Sequence, residues 1–367
     1  MVRLWDLTDP HHPSALPILT DHAGPVRGVA FSRDGHTLAT GSDDATARLW
    51  DLTDPHHPTP ASVLTTLTGP VYTGPAFLGP FLAVAFSPDG HTLAAGNNST
   101  APLWDLTDSH HPSALPTLTG HTDTVYAVAF SPDGHTLATG GNDNMVRLWD
   151  LTDPHHPSAL PTLTGHTGAI DTVAFSPHGH TLATGSYDAT ARLWDLTDLH
   201  HPTTTAILTS HANSVNAVAF SPDGHTLATG HYDGMVRLWN LSDTRHPTLE
   251  APFTGTPQGI RAVAFSPDGH TLATGSFDAT ARLWDLTDLH HPTTAATLTG
   301  HTDTVYAVAF SPDGYTLATG SKDGTVRLWD TNPDQAAKDI CSLVRIPITP
   351  DQWQQYIPDL PYQPPCP

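Results

Sequence analysis

The sequence predicts an all-β fold in which four-stranded antiparallel sheets stand side by side around a common axis, and two observations carry that reading. The first is periodicity. Trp5, Trp50, Trp104, Trp149, Trp194, Trp239, Trp284 and Trp329 are spaced 45 residues apart, except for an interval of 54 between Trp50 and Trp104. A repeat of this length marks a unit that cannot bury its apolar surface alone and must stack against copies of itself. The second is the pattern inside each unit. Within residues 121–165, TVYAVAF, TLATGG, MVRLWDL and SALPTLT are β-rich runs separated by SPDGH, ND and TDPHHP, whose Pro, Gly, Asp and Asn are turn formers. Four strands joined by short turns make an antiparallel sheet, and near-continuous apolar runs such as VYAVAF belong to sheets covered on both faces, as radial stacking requires.

Composition narrows the function classes. Thirty-six acidic residues against 14 basic ones give a net charge of -22, and Glu250 is the only acid that is not Asp. Such a surface repels phosphate backbones, which need cationic neutralisation, so general nucleic-acid binding is excluded. Cys341 and Cys366 both fall in the C-terminal tail, so the body holds by packing and not by a disulfide framework. No apolar run approaches the roughly 18 residues of a membrane span, and no signal-like segment opens the chain. These features read as a cytoplasmic protein without a membrane partner. The excess of Arg over Lys, with abundant Ala, Thr, Pro and Asp, hints at a GC-rich bacterial source.

The motifs GH, SPDG, ATGS, D and RLWD recur in this order at fixed offsets in several copies. In this they resemble the WD-repeat β-propeller family, of the bacterial, actinobacterial type, over residues 1 to about 330. The resemblance implies that the sequence repeat is offset from the structural blade, so the strand after Trp-Asp is a blade's outer edge. Inner triplets then begin near Pro25, Phe81, Thr124, Ala169, Ser214, Gly259 and Thr304, which makes a seven-bladed β-propeller. The seventh triplet lacks an outer strand and Ser14–Thr20 is an outer strand without a triplet; joining them closes the ring and removes two exposed edges. The expected division is a partial repeat at 1–13, the propeller at 14–330, and a tail with one or two short helices at 331–367. Met1–Leu7 repeats a third strand whose blade is missing, so it is either displaced at the surface or a competitor for the Val326–Trp329 slot. A chain that starts inside a repeat is expected to be monomeric or one arm of a larger multidomain protein; the tail resembles those that close such modules in large signalling ATPases and kinase-like proteins.

The resemblance also implies a hydrogen-bonded His, Thr, Asp and Trp tetrad inside each blade. Five blades carry the set: His22, Thr40, Asp44 and Trp50; His121, Thr139, Asp143 and Trp149; His166, Thr184, Asp188 and Trp194; His211, Thr229, Asp233 and Trp239; His301, Thr319, Asp323 and Trp329. A hydrolytic relay would use the same residue types, but five copies of one relay are implausible, whereas buried polar networks fix strand register. No catalytic residue is assigned, and no cofactor is expected. Two blades depart from the pattern. The second has GPVYTGPAFLGPF in place of Gly-His and Pro102 inside its third strand, which should make it the least stable. The sixth has GTPQG there, so Trp284 lacks a histidine while Thr274 and Asp278 remain.

Against this near-invariant framework a few positions vary. One follows the residue that opens the first strand: Arg27, Leu82, Tyr126, Asp171, Asn216, Arg261 and Tyr306. Another precedes the tetrad Asp: Asp43, Asn142, Tyr187, Tyr232, Phe277 and Lys322, with His231, Asp123 and Asp303 as neighbouring variations. If the turn between second and third strands shares an end of the blade with the approach to the first strand, these residues surround the channel mouth. Tyr, Phe and Arg anchor protein interfaces by combining large buried area with a polar handle. The expected contacts to other proteins are therefore Arg27, Tyr126, Tyr187, Tyr232, Arg261, Phe277, Tyr306 and Lys322. Relaxed selection at exposed turns would leave the same variation.

The opposite end gathers the histidine pairs His11 and His12, His56 and His57, His110 and His111, His155 and His156, His200 and His201, and His290 and His291, with Arg245 and His246 in the remaining copy. The alternative function, a metal-binding or pH-responsive histidine face, would need ligands from neighbouring loops, because adjacent side chains on an extended segment diverge; no dedicated metal site is assigned. Histidines with ordinary pKa values near 6.5 gain charge as the pH falls and offset the acidic surface. Solubility is therefore expected to drop between pH 7 and 5, and unchanged light scattering over that range would refute this.

Overall fold

The computed structural model describes residues 3–5, 15–54, 57–64, 83–108, 111–209 and 213–331; for 3–5, 15–17 and Ala251 it describes the backbone alone. The 45-residue period becomes seven blades, numbered here from the first inner triplet. Blade 4 is representative, with antiparallel strands Ile170–Phe175, Thr181–Ser186, Ala191–Asp195 and Thr203–Leu208 in spatial order. First strands pack against the first strands of both neighbours all the way round, so they line the central axis.

The turn between first and second strands explains why SPDGH is copied so faithfully. In blade 3 the Ser131 hydroxyl donates to Asp133 (2.5 Å) and accepts the Thr136 N–H (2.9 Å), while Asp133 accepts the His135 N–H (3.0 Å). Gly134 sits at φ +77°, a conformation that costs glycine little.

Seven apolar clusters hold the ring, and each straddles two blades. Between blades 3 and 4, Ala138, Val146 and Leu148 meet Ile170, Val173, Leu182 and Trp194. The seventh cluster joins Leu19, Val26, Leu38 and Trp50 to Ala318, Val326 and Leu328, closing the ring across the chain's two halves. The blades approach closely enough that the second-strand glycine has no room for a side chain: a Cβ on Gly140 or Gly230 would stand 2.5 Å from Ile170 Cγ2 or Ile260 Cγ2 of the next blade.

Two blades differ from the rest. In blade 2, Pro102 has no N–H to give, and the third strand splits into Thr100–Ala101, paired with Leu118–Thr119, and Leu103–Asp105, paired with Thr92–Ala95. The GPVYTGPAFLGPF segment of that blade lies outside the described residues. Blade 7 has five strands. The N-terminal segment joins it, but the expected outer strand within Ser14–Thr20 touches Val326 only through Leu19, because Arg3–Trp5 lies between Ala15–Pro17 and Val326–Asp330. Arg3–Trp5, however, is neither displaced nor a replacement for Val326–Asp330: it lies parallel beside that strand through Trp5 and Trp329, and Ala15–Pro17 pairs antiparallel with it. A leftover RLW copy carries the same pattern as the strand it adjoins and extends the sheet. The short helices expected within 331–367 lie outside the described residues, which end at Thr331.

The glycine contact gives a direct test of blade-to-blade packing. Gly230→Ala adds one methyl group against Ile260 and should cost about 1–3 kcal/mol, read as a lowered urea midpoint with an unchanged slope.

Candidate functional site at the channel mouth

The varied residues of the first strand share a backbone feature. In six blades the register between first and second strands slips by one residue just after the strand opens, between Val26 and Gly28, Val125 and Ala127, Ile170 and Thr172, Val215 and Ala217, Ile260 and Ala262, and Val305 and Ala307. The residue skipped is Arg27, Tyr126, Asp171, Asn216, Arg261 or Tyr306. A β-bulge leaves its extra residue out of the ladder and re-aims its side chain, so the position that varies is the one that sheet pairing does not constrain. Leu82, the corresponding residue of blade 2, lies outside the described residues.

The second varied set is displayed with equal regularity. Backbone N–H groups of Asp43, Asn142, Tyr187, Tyr232, Phe277 and Lys322 donate to the carbonyls of Pro25, Thr124, Ala169, Ser214, Gly259 and Thr304 at 2.8–3.2 Å. These bonds tie the turn between second and third strands to the approach of the first, so both sets share one end of each blade. The turn has one shape throughout: Ala45, Asn144, Ala189, Gly234, Ala279 and Gly324, two residues further on, are all left-handed.

Several of these side chains meet over the axis. Arg261 of blade 6 reaches past blade 5 and ion-pairs with Asp171 of blade 4, whose side chain is buried. The Arg27 guanidinium lies 3.9 Å from the Tyr306 ring centre and that of Arg261 5.9 Å from it. Arg27 also holds Asp43 through Nε (3.0 Å) and Nη2 (2.7 Å). Asn216 is buried and donates to the Ile260 carbonyl at 2.8 Å. Burial opposes the charge of Arg261, but Asp171 outweighs it and raises its pKa. Burial, with Tyr187 and Asp171 close by, pushes the Tyr126 hydroxyl up to about 12, and Asp171 followed by burial raises Tyr187.

The eight residues expected at this face therefore divide. Tyr187, Tyr232 and Lys322 are exposed, the two tyrosines at 54% and 56%. Arg27, Tyr126, Arg261, Phe277 and Tyr306 are half-buried. Tyr232 packs edge-on against Phe277 with ring centres 5.3 Å apart, and Lys322 Nζ lies 3.2 Å from Asp303. Neither the Asp171–Arg261 pair nor the stacking of Arg27 on Tyr306 follows from sequence spacing, because each joins different blades.

Below this end lie the tetrads. In blade 4, His166 Nδ1 is 2.8 Å from Asp188, its Nε2 is 2.8 Å from the Thr184 hydroxyl, and Trp194 Nε1 donates to that hydroxyl at 3.0 Å. The same contacts join His22, Asp44, Thr40 and Trp50, His121, Asp143, Thr139 and Trp149, and His301, Asp323, Thr319 and Trp329. Burial pushes His121, His166 and His301 down, more than their aspartates raise them. For Asp188 burial acts upward, but hydrogen bonds from Thr190, the Thr167 N–H and His166 prevail and hold it at about 2.

In blade 5 the described partner of the threonine is a histidine on its own strand. His211 lies outside the described residues, and Thr229, which accepts from Trp239 Nε1 at 3.1 Å, is engaged by His231 Nε2 at 2.8 Å. His231 was expected among the surface variations, but its position two residues along the same strand from Thr229 turns it onto the same face, and it is fully buried. Asp233 faces Arg237 at 3.5 Å. In blade 6, which has no histidine there, Trp284 keeps Thr274 (3.0 Å) and Asp278 takes Arg282 (3.0 Å).

At the opposite end, the second histidine of each described pair bonds an aspartate of its own turn: His156 Nδ1 lies 2.8 Å from Asp153, which also accepts the His155 N–H at 3.0 Å. His57, His111, His201, His246 and His291 do the same with Asp54, Asp108, Asp198, Asp243 and Asp288 at 2.9 Å. Among the described residues no three His, Cys, Asp or Glu side chains converge as a metal ion would require. The sole glutamate sits here too. Asn240 stands where the other repeats have Asp, and Glu250 accepts from it at 2.7 Å while lying 3.3 Å from His290 of the next blade.

Removing the threonine hydroxyl separates full tetrads from partial ones. Thr139→Val strips the partner from two buried groups, Trp149 Nε1 and His121 Nε2, and should cost about 2–6 kcal/mol at roughly 1–3 for each group. Thr274→Val strips one and should cost about half as much; equal losses in thermal or urea denaturation would refute the shared-acceptor account.

Comparison with known families agrees with this architecture. Residues 80–294 match the family model described as IFT122 first beta-propeller, and residues 14–51 and 292–330 match the model described as WD domain, G-beta repeat. Among curated proteins none matches the chain. No helix of the described residues is long and apolar enough to cross a membrane. Seven blades, the repeated Trp, Thr, His and Asp network and the family match over more than half its length lead to one conclusion: the chain belongs to the WD-repeat β-propeller family.

Proposed function

We propose that this protein is a non-catalytic docking scaffold whose partner proteins contact the channel-mouth end. WD-repeat propellers generally serve as protein-interaction scaffolds. The observation that carries the reading here is the bulge: in six blades the one residue released from the ladder is also the one that differs between copies. Around it stand Tyr187 and Tyr232, large amphipathic side chains more than half exposed on adjacent blades, of the type that dominates binding energy in protein interfaces. In this reading Tyr187, Tyr232, Phe277 and Lys322 make direct contact, while Arg27, Tyr126, Arg261 and Tyr306 form the floor that positions them. The scarcity of cysteine suits a reducing, cytoplasmic setting. At the histidine end no three His, Cys, Asp or Glu side chains converge among the described residues, so the docking reading is preferred to a metal-binding one.

Capture of partners from a lysate of the source organism, quantified by mass spectrometry, tests this. Tyr187→Ala, Tyr232→Ala and Phe277→Ala combined should reduce specific capture at least about ten-fold, whereas replacing His155, His156, His200 and His201 by Ser should leave it unchanged. The reverse pattern would move the site to the other end.

A further inference from the structure

Resting on the docking reading, the chemistry of the channel mouth also specifies its partner. We propose that the docked segment is cationic, with an arginine or lysine side chain seated on the exposed rings of Tyr187 and Tyr232. Three features lead there. First, the cations of this end are already matched: Arg27 with Asp43, Arg261 with Asp171, and Lys322 with Asp303. Of the arginines just below, Arg147, Arg237 and Arg282 are held in the same way by Asp143, Asp233 and Asp278. An acidic partner would have to break these pairs, one of them buried, whereas a cationic one need break none.

Second, the surrounding field is strongly negative, at -22 for the whole chain. Asp123, on the approach to blade 3, is engaged by the neutral Asn142 amide at 2.8 Å, which leaves its charge uncompensated by that contact. Third, the molecule already seats guanidinium groups on rings at this place, with Arg27 over Tyr306 at 3.9 Å. Tyr187, Tyr232 and Phe277 extend the same kind of surface over blades 4, 5 and 6, and the first two present it to solvent. A cation over an aromatic face is attracted by the ring's quadrupole, and more so beside carboxylates.

Fluorescence anisotropy with three labelled peptides of equal length, built from Arg/Gly/Ser, Asp/Gly/Ser and Gly/Ser alone, tests this on the full chain at low and moderate salt. The cationic peptide should bind the wild type best and weaken as salt rises. Tyr187→Leu with Tyr232→Leu, which keeps apolar area but removes the π faces, should weaken it about ten-fold, while Tyr187→Phe with Tyr232→Phe should retain it. Tighter binding of the acidic peptide, abolished by the Leu pair, would overturn the cationic assignment and leave the docking reading standing. Cationic binding unchanged by the Leu pair would overturn both, as adhesion to the acidic surface at large. No cationic binding up to about 1 mM, roughly the limit of useful weak affinity, would overturn the cationic assignment.

Discussion

A blade of this protein has two apolar faces and no way to cover them alone. That constraint organises the rest of the structure. Each of the seven clusters takes residues from two blades, so the only arrangement without an exposed face is a closed ring. Closure in turn demands close approach, which removes the side chain at Gly140 and Gly230, and it brings residues near the N-terminus onto the last strand of blade 7. The polar chemistry sits where packing leaves room for it, at the two ends of the blades.

The buried tetrads show what the fold specifies and what it leaves open. The recurring need is a hydrogen-bonding partner for the threonine hydroxyl that already accepts from the tryptophan indole, since a buried donor or acceptor left alone costs more than a hydrogen bond gains. Blades 1, 3, 4 and 7 meet it with a histidine from the approach to the first strand. Blade 5 meets it with His231, two residues away on the same strand as Thr229. Asn240 and Glu250 tell a similar story at the other end, where an uncharged residue is joined by the chain's one glutamate. In these five blades the geometry of the demand is constant; the residue that answers it is not.

Much of this was legible in the sequence because it repeats. Tryptophan spacing gave the repeat length and the inner triplets the blade count, SPDGH and TDPHHP gave the turns, and Pro102 marked the broken strand, each through local chemistry that acts within one unit. What escaped was everything that acts between units or by a choice between equivalent donors. Asp171 and Arg261 are 90 residues apart and on non-adjacent blades, so no local spacing links them, and only the radius of the ring brings them together. His231 was misplaced because a histidine beside a turn is chemically as suited to the surface as to the interior. The pairing of Arg3–Trp5 between the third strand of blade 7 and Ala15–Pro17 was equally out of reach, since its sequence is that of a strand already present.

The bulge on each first strand separates two jobs that most proteins must reconcile at the same residue. Residues 27, 126, 171, 216, 261 and 306 contribute nothing to the ladder that defines register, and the apolar clusters do not include them. For a protein engineer they form a circular set of addressable positions on a fixed chassis, where new recognition can be written blade by blade. The linked couple at 171 and 261 must be rewritten together because neither charge can be stranded, and 27 carries its ties to Asp43 and Tyr306 with it.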